Sequence, residues 1–343
     1  MLRSLALVTA IGLFLVVLMG ALVTDTGSGT GCGRSWPLCH GRFIPAFAVH
    51  TAIEFSHRAV AGVIGVLVVI LAVWVWRAYP ARPRLRALAL LGAVFVWIQA
   101  LLGAADVLWP QVAAILALHF GFSLIAFAGV LLLLLELGRP AAGAAPTPRS
   151  PLPPGLGAWA WGVFIYIYGL IYLGAYVAHT ASALACTGWP LCGGALIPPL
   201  HGALGIAFAH RGAALIGVVL VAWLQARTAH LRAERPDLAA AGRTALYLIL
   251  LQAGSGAVVA LTHASMGSLL LHGTLVAALF GALAYLGVGV LPEPAPAPTG
   301  GPRRENGAQA RKCGKTSKFT AERGPSPCTC PCPHGWPPQR PSP

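Results

Sequence analysis

Four histidines recur along this chain as two pairs with the same spacing. His57 and His119 are separated by 62 residues. His210 and His272 are separated by 62 residues as well. Each lies in a long apolar segment, about 5 to 8 residues from one end, which in a helix corresponds to a depth of roughly 8–12 Å. Two imidazoles facing each other at one depth are what a six-coordinate haem iron requires, whereas zinc takes three or four ligands. We therefore predict that each pair holds a haem group.

The four histidines could instead be core residues whose nitrogens are satisfied by hydrogen bonds between helices. Independent packing roles would not impose equal spacing and equal depth on four positions. Ionisable groups inside a membrane are also costly and usually functional. The pattern therefore favours iron ligation.

Arg58 and Arg211 directly follow the first histidine of each pair. Their long side chains could extend to the membrane surface. They could equally pair with haem propionates, because a guanidinium group matches the geometry of a carboxylate. The sequence leaves both roles open.

One acidic residue breaks the likeness between the two pairs. Glu54 lies three residues before His57, on the same helix face, whereas the equivalent position in the second half is Ala207. This difference predicts that the pair of His57 and His119 belongs to a catalytic site and that the other pair holds a permanent electron-transfer haem. The carboxylate could stabilise positive charge at a carbon undergoing oxidation, or move protons. Alternatively, it could hydrogen-bond to a neighbouring helix.

Two cysteine pairs lie in connections between apolar segments. Cys32 and Cys39 share one connection, and Cys186 and Cys192 share another. Each pair would close a disulfide ring of about seven or eight residues, with a stabilisation on the order of 2.5 kcal/mol from loop entropy. The sequence favours a structural staple over a redox-active pair, and the repetition of the pairs does not decide between them.

The segments that carry these residues are long and apolar. Of the 343 residues, 57% are hydrophobic and only 9% are charged, which is too little charge for a soluble protein of this size. A membrane-spanning helix needs roughly 20 apolar residues. Eight such runs are predicted, at 5–24, 49–76, 85–105, 112–137, 156–178, 201–225, 243–262 and 267–290. The first could be a signal peptide, but its length favours a span.

The two halves of the chain are a repeat. The motif Trp36-Pro37-Leu38-Cys39 recurs at an offset of 153 residues as Trp189-Pro190-Leu191-Cys192, and the histidine pairs share this offset. Cys32 matches Cys186 at an offset of 154. An even number of spans in each half implies a parallel repeat. We therefore predict an all-α polytopic membrane protein built from two pseudo-symmetric four-helix bundles, at 1–140 and 156–290.

The net charge of +14 does not indicate nucleic acid binding, because the arginines cluster in alternate short connections. By the positive-inside rule, this asymmetry places both termini in the cytoplasm and the paired cysteines on the oxidising outer side of a bacterial plasma membrane. The segment 291–343 is rich in Pro and basic, so we expect a disordered tail. Its Cys313, Cys328, Cys330 and Cys332 do not complete a zinc motif.

Over about residues 1–290 the chain resembles the haem A synthases. The resemblance rests on the eight spans in two halves, the paired cysteines, the Glu54-x-x-His57 motif and the three further histidines. It implies that His210 and His272 ligate a haem b cofactor, that His57 and His119 bracket the substrate haem O, and that Glu54 takes part in catalysis. A methyl group of haem O would be oxidised through an alcohol to the formyl group of haem A, for use by cytochrome oxidase. Haem O synthase and an electron donor are the implied partners, beside the membrane lipid.

Two other functions are compatible with parts of the pattern. A di-haem membrane cytochrome for quinol-linked electron transfer would also need two imidazole pairs, but Glu54 and the asymmetry disfavour it. A transporter could also be built from parallel repeats. It would place its ionisable residues near the midplane of the membrane rather than towards one side.

Overall fold

The computed structural model describes residues 1–109, 112–139, 152–186 and 188–291. This part of the chain holds eight α-helices, each long and apolar enough to cross a membrane. They are α1 Leu2–Asp25, α2 Val49–Ala78, α3 Pro83–Leu108, α4 Ala113–Leu137, α5 Leu156–His179, α6 Gly202–Ala229, α7 Pro236–Leu261 and α8 Met266–Gly289. The predicted all-α protein with eight membrane-spanning helices is thereby confirmed. The predicted tail beyond residue 291 lies outside the described residues.

The first apolar run is an integral helix of the fold. One face of α1 is buried against the other helices through Ala6, Ala10, Leu13 and Val17. These positions follow the three- and four-residue spacing of a helix face. With 24 residues and one buried face, α1 has the length and the packing expected of a membrane span.

Several helices begin earlier than the hydropathy of the sequence predicted, and two of them, α3 and α7, begin with a proline. Helix α7 begins at Pro236 rather than at residue 243, and α3 begins at Pro83 rather than at residue 85. Proline suits the first turn of a helix, where its missing N–H has no partner to lose. In α7 the guanidinium of Arg235 also pairs with both carboxylate oxygens of Asp237, at 3.0 and 2.9 Å. Hydropathy missed the start of α3 because Arg84 is charged, and missed that of α7 because Asp237 and Arg243 interrupt its apolar residues.

The helices pack in the same cycle in both halves. In the first half each of α1 to α4 packs on the next and α4 returns to α1, and α5 to α8 do likewise in the second half. Two four-helix bundles result, and they meet along α1, α4, α5 and α8. One continuous apolar core runs through both bundles. The division at 140–156 therefore separates two halves of one compact unit, and their parallel relation stays a prediction.

Arginines cluster at the end of the helices away from the paired histidines. The Arg84 guanidinium donates to the carbonyl of Val288, and that of Arg235 donates to the carbonyl of Gly289 at 3.0 Å. Both bonds satisfy carbonyls at the C-terminus of α8 that have no partner within the helix. Since Arg84 belongs to the first half and α8 to the second, this contact also joins the two bundles.

Candidate haem-binding site

The four paired histidines occupy matching positions in the two bundles. His57 and His210 each lie eight residues after the first residue of their helices, α2 and α6. His119 and His272 each lie six residues after the first residue of α4 and α8. His57 is close enough to His119 to interact with it electrostatically, and His210 interacts in the same way with His272. Each bundle therefore brings its own pair together.

Three of these imidazoles have a buried nitrogen with no hydrogen-bond partner in the part of the chain that the structure describes. The Nδ1 atoms of His57, His119 and His210 are all in this state. Buried polar atoms in folded proteins are nearly always satisfied, so such a group calls for an explanation. Paired imidazoles inside an apolar bundle fit a planar group that takes two nitrogen ligands, which is the coordination that haem iron uses.

His272 differs from the other three because side chains of the preceding helix hydrogen-bond to both nitrogens of its ring. The Ser255 hydroxyl lies 2.9 Å from Nδ1, and the side-chain nitrogen of Gln252 lies 2.9 Å from Nε2. Neither residue was predicted as part of the site. The repetition of Gln252 with Gln99 at an offset of 153 was the available signal.

The equivalent glutamine in the first half, Gln99, hydrogen-bonds to a serine rather than to the histidine ring. Gln99 donates to the hydroxyl of Ser123, which in turn donates to the backbone carbonyl of His119 at 2.8 Å. The His119 ring is left with an unpartnered Nδ1. The position that corresponds to Ser255 is Leu102 in the first half. The two ligand pairs therefore have different surroundings despite the repeat.

Glu54 is buried and both of its carboxylate oxygens are engaged. The residue is 4% exposed. Oε2 accepts the backbone N–H of Cys32 at 2.7 Å, and Oε1 forms an ion pair with Arg58. The partners are the disulfide loop and an arginine on its own helix, so the expected alternative of a bond to a neighbouring helix is not what the structure contains.

Arg58 and Arg211 each hold the preceding loop onto the helix that carries them. Arg58 Nη1 donates to the carbonyls of Ser35 and Leu38, at 2.8 and 3.1 Å. Arg211 Nη2 donates to the carbonyl of Cys186 at 2.8 Å. This anchoring role was not among the two that the sequence suggested. The repeated His-Arg dipeptide, following a repeated loop motif, was the only sign of it.

Both predicted disulfides are present. Cys32 is bonded to Cys39, and Cys186 is bonded to Cys192. All four cysteines are buried. In each loop the second cysteine also forms an isolated β-bridge three residues on, to Arg42 or to Ala195. Each loop is therefore held by one disulfide and one arginine. Glu54 and Arg58 lie next to the loop that contains Cys32 and Cys39.

A third imidazole reaches the first bundle from the second half. His179, at the end of α5, lies close enough to His119 to interact with it electrostatically. The sequence carried no sign of this approach, because His179 has no histidine counterpart at the repeat offset. Across the described residues, no group of three or more His, Cys, Asp or Glu side chains could hold a metal ion by itself.

The fold and the site together define a class of protein: a multi-pass helical membrane protein with an imidazole pair inside each of two bundles and disulfide-closed loops above them. The profile of the COX15-CtaA family, described as "Cytochrome oxidase assembly protein", matches residues 3–284. The chain belongs to this family.

Individual relatives agree with this assignment. A protein of Symbiobacterium thermophilum named "Heme A synthase" is 45% identical, over 83% of this chain and 94% of the relative. Proteins of the same name from Shouchella clausii and Bacillus licheniformis are each 41% identical, over 83% of this chain and 95% and 94% of the relatives. The likeness extends over the whole helical region.

Proposed function

We propose that this protein is an oxidoreductase that converts haem O to haem A for cytochrome oxidase, by oxidising a methyl group to a formyl group. The observation that carries the proposal is the two half-buried imidazole pairs, of which, among the described residues, the first alone has a buried carboxylate, Glu54, one helical turn from a histidine. The relatives named "Heme A synthase" and the family of the chain support the same reaction.

His210 and His272 would hold haem b in the second bundle. A histidine that ligates a metal usually shares its other ring nitrogen with a hydrogen-bonding partner, which fixes the orientation of the ring. The Ser255 hydroxyl, 2.9 Å from Nδ1 of His272, would be that partner, and the Gln252 side chain, 2.9 Å from Nε2, would give up that nitrogen to the iron. Haem b supplies reversible one-electron transfer when bound. A ring fixed in this way suits a group that stays in the protein.

His57 and His119 would bracket the substrate, haem O, in the first bundle. Neither Nδ1 atom has a hydrogen-bond partner among the described residues, so these rings are less firmly fixed than His272, which suits a group that must bind and leave. The disulfide loop Cys32–Cys39, held down by Arg58, would exclude water from the outer end of this site.

Glu54 would supply negative charge beside the substrate. Its carboxylate is held between the Cys32 N–H and Arg58, so its orientation is set before the substrate binds. A preorganised charge stabilises positive charge that develops during reaction, without the cost of reorienting solvent. Oxidation of a methyl group also releases protons, and a carboxylate is a suitable group to accept them.

The chain would lie in the plasma membrane of a bacterium, with both termini in the cytoplasm. Two features at opposite ends of the helices support this orientation. Arginines including Arg84 and Arg235 cluster at one end, as the positive-inside rule requires of the cytoplasmic side. The disulfides lie at the other end, as expected of an oxidising compartment. Haem O synthase and an electron donor would be the functional partners.

The proposal is tested by identifying the haems that the purified protein carries. The full chain is expressed with and without haem O synthase in a bacterium that makes no haem A, and its haems are extracted and separated by chromatography. We expect haem b in both cases, and haem O together with haem A only with the synthase. Two equivalents of haem b and no haem A would indicate a di-haem cytochrome, and a colourless protein would exclude both functions.

Removal of the hydroxyl beside His272 is expected to loosen the haem b site. In Ser255→Ala, Nδ1 of His272 loses its 2.9 Å partner. Loss of such an outer partner typically weakens metal binding by about 10–100-fold. We expect the purified variant to lose haem b at a higher protein concentration than the unmodified protein when both are diluted in detergent. Ser123→Ala is the matched control, because Ser123 bonds to a backbone carbonyl in the other bundle. Equal haem b retention by the two variants would contradict the assigned role.

A further inference from the structure

Each of the four paired imidazoles rests against a glycine of the preceding helix. A methyl group placed on the glycine would lie 3.0 to 3.4 Å from the Cε1 atom of the ring. The pairs are Gly20 with His57, Gly103 with His119, Gly174 with His210, and Gly256 with His272. The same contact therefore occurs four times, between α1 and α2, α3 and α4, α5 and α6, and α7 and α8.

These glycines follow the repeat. Gly103 and Gly256 are separated by 153 residues, the offset of the histidines themselves. Gly20 and Gly174 are separated by 154 residues, the same offset as Cys32 and Cys186. The offset falls to 153 after these cysteines because the loop of the second half is one residue shorter. Both halves thus have glycine at both positions.

The space beside each glycine is bounded by the imidazole. For Gly20, Gly103 and Gly256, ring atoms of the paired histidine are the only atoms of the described residues within 4 Å of the added methyl group, apart from the glycine's own helix. For Gly174, the three nearest atoms all belong to His210. Other glycines of the same bundles, such as Gly169 and Gly254, have open space at this position. Close contacts also occur at other helix glycines, as between Gly12 and Ile64 or between Gly217 and Ile167, so what distinguishes this set is that all four paired histidines share the same contact.

Alanine at these positions would act on the ring and on little else. A Cβ contact near 3.0 Å is tighter than proteins normally tolerate, so one partner must move. The imidazole is a rigid plane that can yield only by rotation about its side-chain torsions, because its helix is fixed by packing on both sides. Such a rotation changes the direction in which the ring nitrogens point.

We propose that Gly20, Gly103, Gly174 and Gly256 are positioning residues that set the ring orientation of the four haem-ligating histidines. The inference rests on the proposed ligation. The absence of a side chain lets each imidazole lie flush against the neighbouring helix, so that its nitrogen faces the interior of the bundle in a single orientation. Haem affinity and the electronic state of the iron both depend on that orientation.

The tightest contact provides the test. Gly174→Ala is compared with Gly169→Ala, which adds the same methyl group to the same helix in open space. Two properties of the haem b are measured: the low-spin ferric signal in electron paramagnetic resonance, and the rate of haem transfer to apomyoglobin. We expect Gly174→Ala to shift the signal and to release haem on the order of 10-fold faster, whereas Gly169→Ala matches the unmodified protein. Indistinguishable behaviour of the two variants would overturn the inference.

A second pair of variants keeps the test decisive if Gly174→Ala fails to accumulate. In Gly256→Ala the added methyl group would lie 3.4 Å from Cε1 of His272, compared with 3.0 Å between the methyl group of Gly174→Ala and His210. Gly254→Ala, which adds a methyl group in open space, is the control. Gly256→Ala should shift the ferric signal by less than Gly174→Ala does, and still by more than its control. No shift relative to Gly254→Ala would likewise overturn the inference.

Loss of a ligand separates this inference from the proposed function. His210→Met should remove the bis-imidazole signal altogether. If His210→Met retains that signal, the proposed ligation is wrong. If His210→Met loses it while both glycine variants behave like their controls, ligation stands and only the positioning role of the glycines is wrong.

Discussion

Replacement of His272 by methionine is expected to remove the bis-imidazole haem b signal from a protein that still inserts into the membrane. His272 and His210 form the imidazole pair that the second bundle brings together, so the variant would leave His210 without its partner. Loss of an outer partner already weakens metal binding by about 10–100-fold, and loss of the ligand itself should cost more. Any haem that remains would have one histidine and one methionine ligand, which raises its reduction potential.

The measurements are haem content and a redox titration of the purified variant. His263→Met is a suitable control, because it makes the same substitution in the turn between α7 and α8, on an exposed residue. His119→Met should leave the haem b signal in place, since it belongs to the other bundle. A normal bis-imidazole signal and potential in His272→Met would exclude this residue as a ligand.

Replacement of Glu54 by alanine is expected to stop haem A formation while haem b remains bound. The change removes the buried carboxylate next to the first imidazole pair and leaves the Cys32 N–H and Nη2 of Arg58 without the acceptor that they share. Acid–base groups commonly contribute about 10²–10⁴-fold to a rate. We therefore expect a fall in haem A yield of at least about 100-fold, with haem O accumulating in its place.

Two further variants separate the charge of Glu54 from its structural contacts. Glu54→Gln keeps an oxygen that can accept the Cys32 N–H but removes the negative charge, so we expect a stably folded protein that forms little haem A. Glu136→Gln changes a carboxylate that pairs with Arg139 at the opposite end of the helices, and should leave the yield unchanged. If Glu54→Gln restores the full ratio of haem A to haem O, the residue acts by holding the loop rather than by its charge.

The features that could be predicted from the sequence are those that depend only on the order and spacing of residues along the chain. Eight apolar runs of sufficient length become eight helices, because in lipid a helix is the local way to satisfy the backbone. The depth of His57 and His210 follows from the rise per residue, so their equal positions in α2 and α6 could be computed in advance. The disulfides were predictable for the same reason, since each joins cysteines within one short loop.

The contacts that surround the histidines were not predictable in this way. The repeat identified Gln99 and Gln252 as equivalent, yet Gln252 contacts His272 and Gln99 bonds to Ser123. The difference arises because the neighbouring positions of the two halves carry different side chains. Hydrogen bonding is decided by which donors and acceptors meet in space, and a one-dimensional repeat does not contain that information.

By itself, the amino-acid sequence determined the number of spans, the pairing and depth of the histidines, and the asymmetry created by Glu54 and Ala207. These properties depend on composition, on spacing and on the fixed geometry of a helix. Only the tertiary structure decided that Glu54 and Arg58 clasp the disulfide loop, that His179 approaches His119, and that glycines face the imidazoles. Each of these contacts joins segments that are distant in sequence, and the close packing of helices, rather than any local preference, brings them together.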